Sequence, residues 1–266
     1  LALDLAGYAI VLYFLYRAGR FRAAFAGFGV LLFLFFPPLF TPSPTFTYLR
    51  FAAALVPFLL FLAYRDEPRP WRLFLSGALT TAVALASQEV GLACLFALAG
   101  ALLLGFLFRR DPATVVREGA LFAGGLLATA LPFSAYFLLT GALPGVYESL
   151  VEFSRYGMLG YGGIPAPPLR EFLGDPLGEG TMYYLTLFLY AFTAVHVGSA
   201  LLDGRQDRET WLRFLLLAYG VALFPVAVRR FSDESVIKVF LPALLLWTRF
   251  LEGSVSGVLA ARGREW

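Results

Sequence analysis

Nine apolar stretches run along this chain, at 1–16, 23–40, 48–64, 73–87, 90–108, 119–139, 181–202, 213–228 and 236–251, and the arginines between them alternate. The connections after the first, third, fifth, seventh and ninth stretches carry Arg17, Arg20 and Arg22; Arg65, Arg69 and Arg72; Arg109, Arg110 and Arg117; Arg205, Arg208 and Arg213; and Arg249, Arg262 and Arg264. These are fifteen of the chain's twenty arginines. The intervening connections hold only Arg50, Arg155, Arg170, Arg229, Arg230 and Lys238. Positive residues stay on the cytoplasmic side during insertion, so the alternation predicts both the number of spans and their direction. The expected fold is an all-α, polytopic transmembrane bundle of about nine spans.

Composition agrees with that reading. Hydrophobic residues make up 59% of the chain and charged residues 15%, and the mean hydropathy is +0.75. A soluble domain carries nearer a quarter charged residues. The isoelectric point near 9.1 comes from arginines flanking apolar stretches, which topology and anionic headgroups account for, so nucleic-acid binding is not expected. The single cysteine, Cys94, excludes an intrachain disulfide and reads as a small buried packing residue. The chain begins with Leu1 inside an apolar run, without the pattern of a signal peptide. It reads as a single membrane domain, 1–266, that starts within a span and lacks upstream spans and a first outer loop.

The stretch from Leu73 to Phe108 carries the most structural information. As one helix of 36 residues it would run about 54 Å, much longer than a bilayer needs. It would also place Arg109 and Arg110 on the wrong side and bury Gln88 and Glu89 at mid-membrane. Two short spans turning at Ser87-Gln88-Glu89-Val90-Gly91 restore the alternation. They are short for two crossings, so the turn is expected slightly below the outer surface, with Glu89 facing a cavity. Pro57, Pro132, Pro225 and Pro242 are expected to bend helices inside or near span ends.

The long outer connection from Thr140 to Gly180 begins with an amphipathic pattern over Pro144 to Leu159. Glu148, Glu152 and Arg155 stand at i, i+4 and i+7, on one face of an interfacial helix. The Gly- and Pro-rich run from Gly160 to Pro168 then suits either a loop over a site or a plain connector.

An ionisable group in a membrane interior is costly, so each outward charge is a functional candidate. Asp4 is either buried in the bundle or at a fraying terminus. Arg50 either clamps a phosphate or snorkels to headgroups. Gln88 and Glu89 either line a site or pair with an arginine of a neighbouring span. Arg229 and Arg230 together form a receptor for a lipid phosphate, or an anchor to headgroups. Lys238 stands at i+4 from Glu234, natural for an ion pair on the helix, and Asp233 lies between them and the arginines. His196, the only histidine, is expected to hydrogen-bond between helices and is not a metal site. No Gly-rich phosphate loop, Ser/His/Asp arrangement or metal-ligand spacing is present in the sequence.

The order of these features resembles the membrane half of a GT-C-type glycosyltransferase, in the branch of bacterial protein O-mannosyltransferases and aminoarabinose transferases. The residues that carry the resemblance are Leu49-Arg50-Phe51 and the hairpin from Ser76-Gly77 to Ser87-Gln88-Glu89-Val90-Gly91-Leu92. To these are added Leu131-Pro132-Phe133-Ser134-Ala135-Tyr136-Phe137 with Gly141-Ala142, and the arginine-acid loop followed by Leu241-Pro242. The motifs are diffuse but extend over nearly the whole chain. The resemblance implies transfer of a sugar from a polyprenyl-phosphate donor to an acceptor at the outer face of a bacterial cytoplasmic membrane. It implies no cofactor beyond the lipid-linked donor, and leaves a metal requirement open. The catalytic aspartate of such enzymes lies in the first outer loop, upstream of Leu1. Many relatives carry an Arg-x-Asp-x-x-His pattern in the last outer loop. Arg230 matches its arginine; Asp233 stands one residue further on than its aspartate, and no histidine follows.

On this reading Arg50, Arg229 and Arg230 bind the donor phosphate, with Asp233 and Lys238 beside them. Gln88 and Glu89 line the sugar cavity, and the loop carrying Glu148, Glu152 and Arg155 covers the acceptor side. A secondary transporter or lipid flippase would instead place polar groups near the midplane in two repeats, which the sequence lacks. A non-catalytic membrane scaffold would pair its outer charges among themselves.

Overall fold

The computed structural model describes residues 2–18, 48–109, 111–148, 168–174, 181–229 and 240–261. Among these the chain is all-helical: α1 (Ala2–Ala18), α2 (Tyr48–Ala52), α3 (Leu55–Asp66), α4 (Pro70–Ala86), α5 (Gln88–Arg109), α6 (Pro112–Leu139), α7 (Leu143–Tyr147), α8 (Leu169–Gly174), α9 (Thr181–Leu202), α10 (Arg208–Arg229) and α11 (Leu241–Ala261). Among the described residues three segments are long and apolar enough to cross a membrane: Gln88–Phe108, Pro112–Leu139 and Tyr183–Leu202. The apolar stretch 23–40 lies outside the described residues.

Several helix boundaries have a local cause. Pro70 and Pro112 open α4 and α6 in the first turn, where a missing N–H costs nothing. Asp111 caps α6, accepting from the Ala113 N–H at 3.2 Å and from the Thr114 hydroxyl. The Thr114 bond and the main-chain bonds hold its carboxyl below the usual carboxylate range, against a smaller opposing effect of desolvation. Pro57 explains why the third apolar stretch is two helices. It offers no N–H to the Ala53 carbonyl, which takes the Val56 N–H at 3.2 Å instead, so the chain tightens and breaks at Ala53-Ala54. Neighbours then satisfy carbonyls around the break: Tyr219 of α10 donates to Phe51 O at 2.9 Å, and Ser76 of α4 donates to Pro57 O at 3.0 Å. Pro132 and Pro225 lie inside α6 and α10. Pro242 is the second residue of α11 and begins that helix where a bend was expected.

The 73–108 stretch is a hairpin, as the charge alternation required. The break is a single residue: Ser87 is extended at φ −156°, ψ 107°, and its carbonyl already accepts the Gly91 N–H of α5. Gly91 lies so close to Ala84 that a Cβ there would overlap it, and Thr80 meets Cys94 at 3.8 Å. These pairs sit symmetrically about Ser87, which makes α4 and α5 antiparallel. Gln88 and Glu89 are therefore the first residues of α5, where a turn of several residues was expected.

Helices in lipid gain little from hiding apolar surface from one another, so close backbone packing and polar bonds must hold them. Both are present between α4 and α6. A Cβ on Gly77 would overlap the Phe122 carbonyl, and one on Gly125 the Phe74 carbonyl. Thr81 donates to Leu126 O across the same contact at 3.0 Å. The centre of the bundle is formed by α3, α5 and α10. Small Cys94, Ala97 and Ala101 on α5 leave room for Phe58 and Phe61 of α3 and for Trp211 and Tyr219 of α10. Phe58 meets Tyr219 edge-on at 5.5 Å, and Phe61 meets Trp211 at 6.3 Å. By contrast α6 stands at the edge. Beyond Gly125 it exposes Leu127, Leu131, Phe133, Tyr136, Leu138 and Leu139, as a lipid-facing helix does.

Candidate functional site

The helix directions bring the connections 65–72 and 202–208, with the ends of α1 and α11 and the start of α6, to one end of the bundle. Contacts across them confirm it: Arg208 bonds both Asp66 and the Arg17 carbonyl, and Arg65 reaches Gln206 at 3.4 Å. We call this the arginine-rich end. The α4–α5 hairpin turns at the opposite end, and there Arg50 crosses from α2 to meet it. Its Nε donates to Ser87 Oγ at 2.6 Å, and its terminal nitrogen donates to Glu89 Oε2 at 3.1 Å. The Arg50 side chain is 25% exposed and that of Glu89 42%.

The sequence explains why these three meet. Arg50 sits on α2, the short helix before the proline-induced break, so its direction is set independently of α3. Ser87 must be extended to reverse the chain, and the reversal turns its hydroxyl toward Arg50. Glu89 occupies the first turn of α5, where a carboxylate is favoured by the partial positive charge of the helix end. The result is a guanidinium, a hydroxyl, a carboxylate and a helix N-terminus gathered at one point of the bundle. A guanidinium beside a long helix's N-terminus suits an oxyanion such as a phosphate. The ion pair with Glu89 is equally the arrangement of a structural tie between α2 and α5.

The structure thus brings Arg50 and Glu89 together, with Gln88 adjacent in the chain. Of the two expectations for Glu89, a place on a cavity or a pairing with an arginine of a neighbouring segment, the structure shows the pairing, with the carboxylate partly exposed. Glu148 is exposed just after the five-residue α7. Glu152 and Arg155, the rest of the expected interfacial helix, lie outside the described residues. The backbone of Arg229 ends α10 at the same end as Arg50; its side chain, and Arg230, Asp233 and Lys238, lie outside the described residues, as does the Asp4 side chain. His196 is exposed and stacks on Phe192 of its own helix at 6.4 Å, in place of the expected bond between helices. Cys94 is buried, as expected.

The sequence reading missed the carboxylates at the arginine-rich end. Glu118 of α6 faces Arg65 of α3 at 3.9 Å, each side chain only 5% exposed, and accepts from Tyr64 at 3.1 Å. The Arg65 guanidinium also lies 4.5 Å from the Trp211 ring. Glu209 of α10 accepts from Arg213 at 2.8 Å and from Arg249 of α11 at 2.7 Å, and Arg249 also bonds Glu252 at 2.8 Å. Asp207 caps α10 through the Thr210 N–H at 2.7 Å. Burial works to raise its carboxyl, but the bonds to Thr210 and the charges of Arg205 and Arg213 outweigh it and hold the carboxyl below the usual range. The available signal was positional, since Glu118, Glu209 and Glu252 each stand within a few residues of an arginine at a stretch boundary. Comparison of the chain with protein-family models, with curated proteins and with solved structures finds no match.

Proposed function

We propose that this chain is the membrane portion of a glycosyltransferase that moves a sugar from a polyprenyl-phosphate donor to an acceptor at one face of a membrane. The observation that carries the reading is the meeting of Arg50, Ser87 and Glu89 at the α5 N-terminus, at the end opposite the arginine-rich one. In this proposal the bundle has about nine spans and sits in a bacterial cytoplasmic membrane, with the Arg50 end outward. The donor phosphate leaves as an anion, and Arg50 with Arg229 and Arg230 stabilises the developing charge. Gln88 and Glu89 contact the sugar, and Asp233 and Lys238 hold the arginines in place. The stretch bearing Glu148, Glu152 and Arg155 lies over the acceptor. The general base, which takes the acceptor's proton, is assigned to no residue of this chain. Exposed apolar side chains on α6 give the prenyl tail a lipid-facing surface beside the bundle.

A second reading, a non-catalytic membrane scaffold, is favoured by one observation: Arg50 already pairs with Glu89. The two readings separate in the double variant R50Q/E89Q, assayed in membranes from cells expressing the intact gene. Two amides can still hydrogen-bond, so the tie between α2 and α5 persists and the melting temperature changes little. Transfer from a polyprenyl-phosphate sugar then falls at least about 100-fold if Arg50 binds the leaving phosphate, since one well-placed donor to a developing anion is worth about that much. Transfer at the parent rate would remove the phosphate role of Arg50.

A further inference from the structure

Threonines inside helices normally satisfy their hydroxyls on the carbonyl one turn back, and several in this bundle do. Thr80 bonds Ser76 O at 2.8 Å, Thr193 bonds Leu189 O at 2.7 Å, and Thr248 bonds Leu244 O at 2.8 Å. Thr186 of α9 is equally buried, at 2% exposure, yet its hydroxyl has no hydrogen-bond partner. One turn along the same face, Tyr190 is also buried and its hydroxyl is also without a partner. Side chains on a helix lean toward its N-terminus, so the Tyr190 ring reaches back toward the turn that carries Thr186.

The facing surface of α10 is shaped to receive this hydroxyl. Gly220 has no side chain, and a Cβ there would overlap the Tyr190 hydroxyl. The tyrosine oxygen thus lies against bare main chain, where carbonyls keep a second lone pair beyond their helical bond. Phe224, one turn further along, packs against Tyr183 at 5.2 Å and Tyr190 at 6.3 Å on the same contact. A hydroxyl left unbonded in a buried, low-dielectric seam loses its hydration with nothing to replace it. Buried water with two to four polar partners is the ordinary way such groups are satisfied.

We propose that the Thr186 and Tyr190 hydroxyls hold one buried water molecule between α9 and α10 at Gly220, with α10 main chain as its third partner. The site rests on helix packing alone and is independent of the sugar-transfer reading. A high-resolution cryo-electron-microscopy map of the intact protein in lipid nanodiscs tests it. The expected result is a solvent density about 2.7–3.0 Å from both hydroxyl oxygens. A Thr186 hydroxyl turned onto the Met182 carbonyl, or density touching one hydroxyl only, overturns it. A thermal-melting cycle of T186V, Y190F and the double variant gives a second readout. Hydroxyls that share one water give a double-variant shift clearly smaller than the two single shifts added. Additive shifts mean separate partners and overturn the proposal.

Discussion

Removal of Glu118 should be among the most damaging single changes to this bundle, and removal of Arg65 with it should be far milder. Both side chains are only 5% exposed and their charged groups stand 3.9 Å apart. At an effective dielectric of about 20, that separation corresponds to about 4 kcal/mol of attraction. Desolvation of both ions offsets much of it, so the pair itself contributes little net stability. Breaking the pair is different, because it strands a buried charge, at about 3–5 kcal/mol. In E118A the Arg65 guanidinium keeps the Trp211 face, 4.5 Å away, worth at most about 2 kcal/mol. The Tyr64 hydroxyl, 3.1 Å from the carboxylate, loses that acceptor as well. The double variant R65M/E118Q retains an acceptor for Tyr64 and an apolar stem against Trp211, and should fall within about 2 kcal/mol of the parent. Reversible denaturation in mixed detergent micelles, followed by tryptophan fluorescence, measures both. A double variant as unstable as the two singles added together would refute the reasoning, since it would mean that the two charges do not depend on one another.

Other outcomes follow from particular contacts. Gly77→Leu must push α6 away from α4, because the added atoms enter the space of the Phe122 carbonyl; a loss of about 1–3 kcal/mol or more is expected in the same unfolding assay. Asp207 has a folded carboxyl below its unfolded value, so its contribution is full above about pH 4 and is lost as pH falls through the lower folded value. D207N, which caps equally well, should flatten that part of the stability–pH curve, whereas D207A should cost about 0.5–2 kcal/mol at neutral pH. Cys94 is fully buried, so a maleimide should label it only after unfolding; fast labelling of the native protein in nanodiscs would contradict the α3–α5 packing.

Much of the helical layout was legible because charge and hydropathy act over whole segments. The arginine alternation required a reversal within 73–108, and the structure has one at Ser87. The stretch 181–202 coincides with α9. Finer features depend on contacts between segments far apart in the chain. Pro57 announced a bend, but not that Tyr219, far along the chain, would supply a donor to the freed region. Arg50 and Glu89 were both singled out, while their pairing needed the α2 direction that only the break at Ala53-Ala54 sets. The carboxylates Glu118, Glu209 and Glu252 were overlooked because arginines near a span end already had a sufficient explanation in membrane topology. The pairs Arg65–Glu118 and Arg249–Glu209 show that some of those arginines also tie helices together. The hydroxyls of Thr186 and Tyr190 carry no sequence signal at all, since whether a buried threonine bonds its own helix is decided by its rotamer.

The central proposal concerns sugar transfer from a lipid-linked donor, and one measurement meets it directly. Membranes from cells expressing the intact gene are incubated with a radiolabelled polyprenyl-phosphate sugar, and in parallel with the corresponding nucleotide sugar under conditions that block new polyprenyl-phosphate loading. The account predicts gene-dependent movement of label from the polyprenyl-phosphate sugar to an acceptor, with release of polyprenyl phosphate, and no movement from the nucleotide sugar. Label that stays on every polyprenyl-phosphate sugar offered, in membranes where the protein is present and folded, would contradict it.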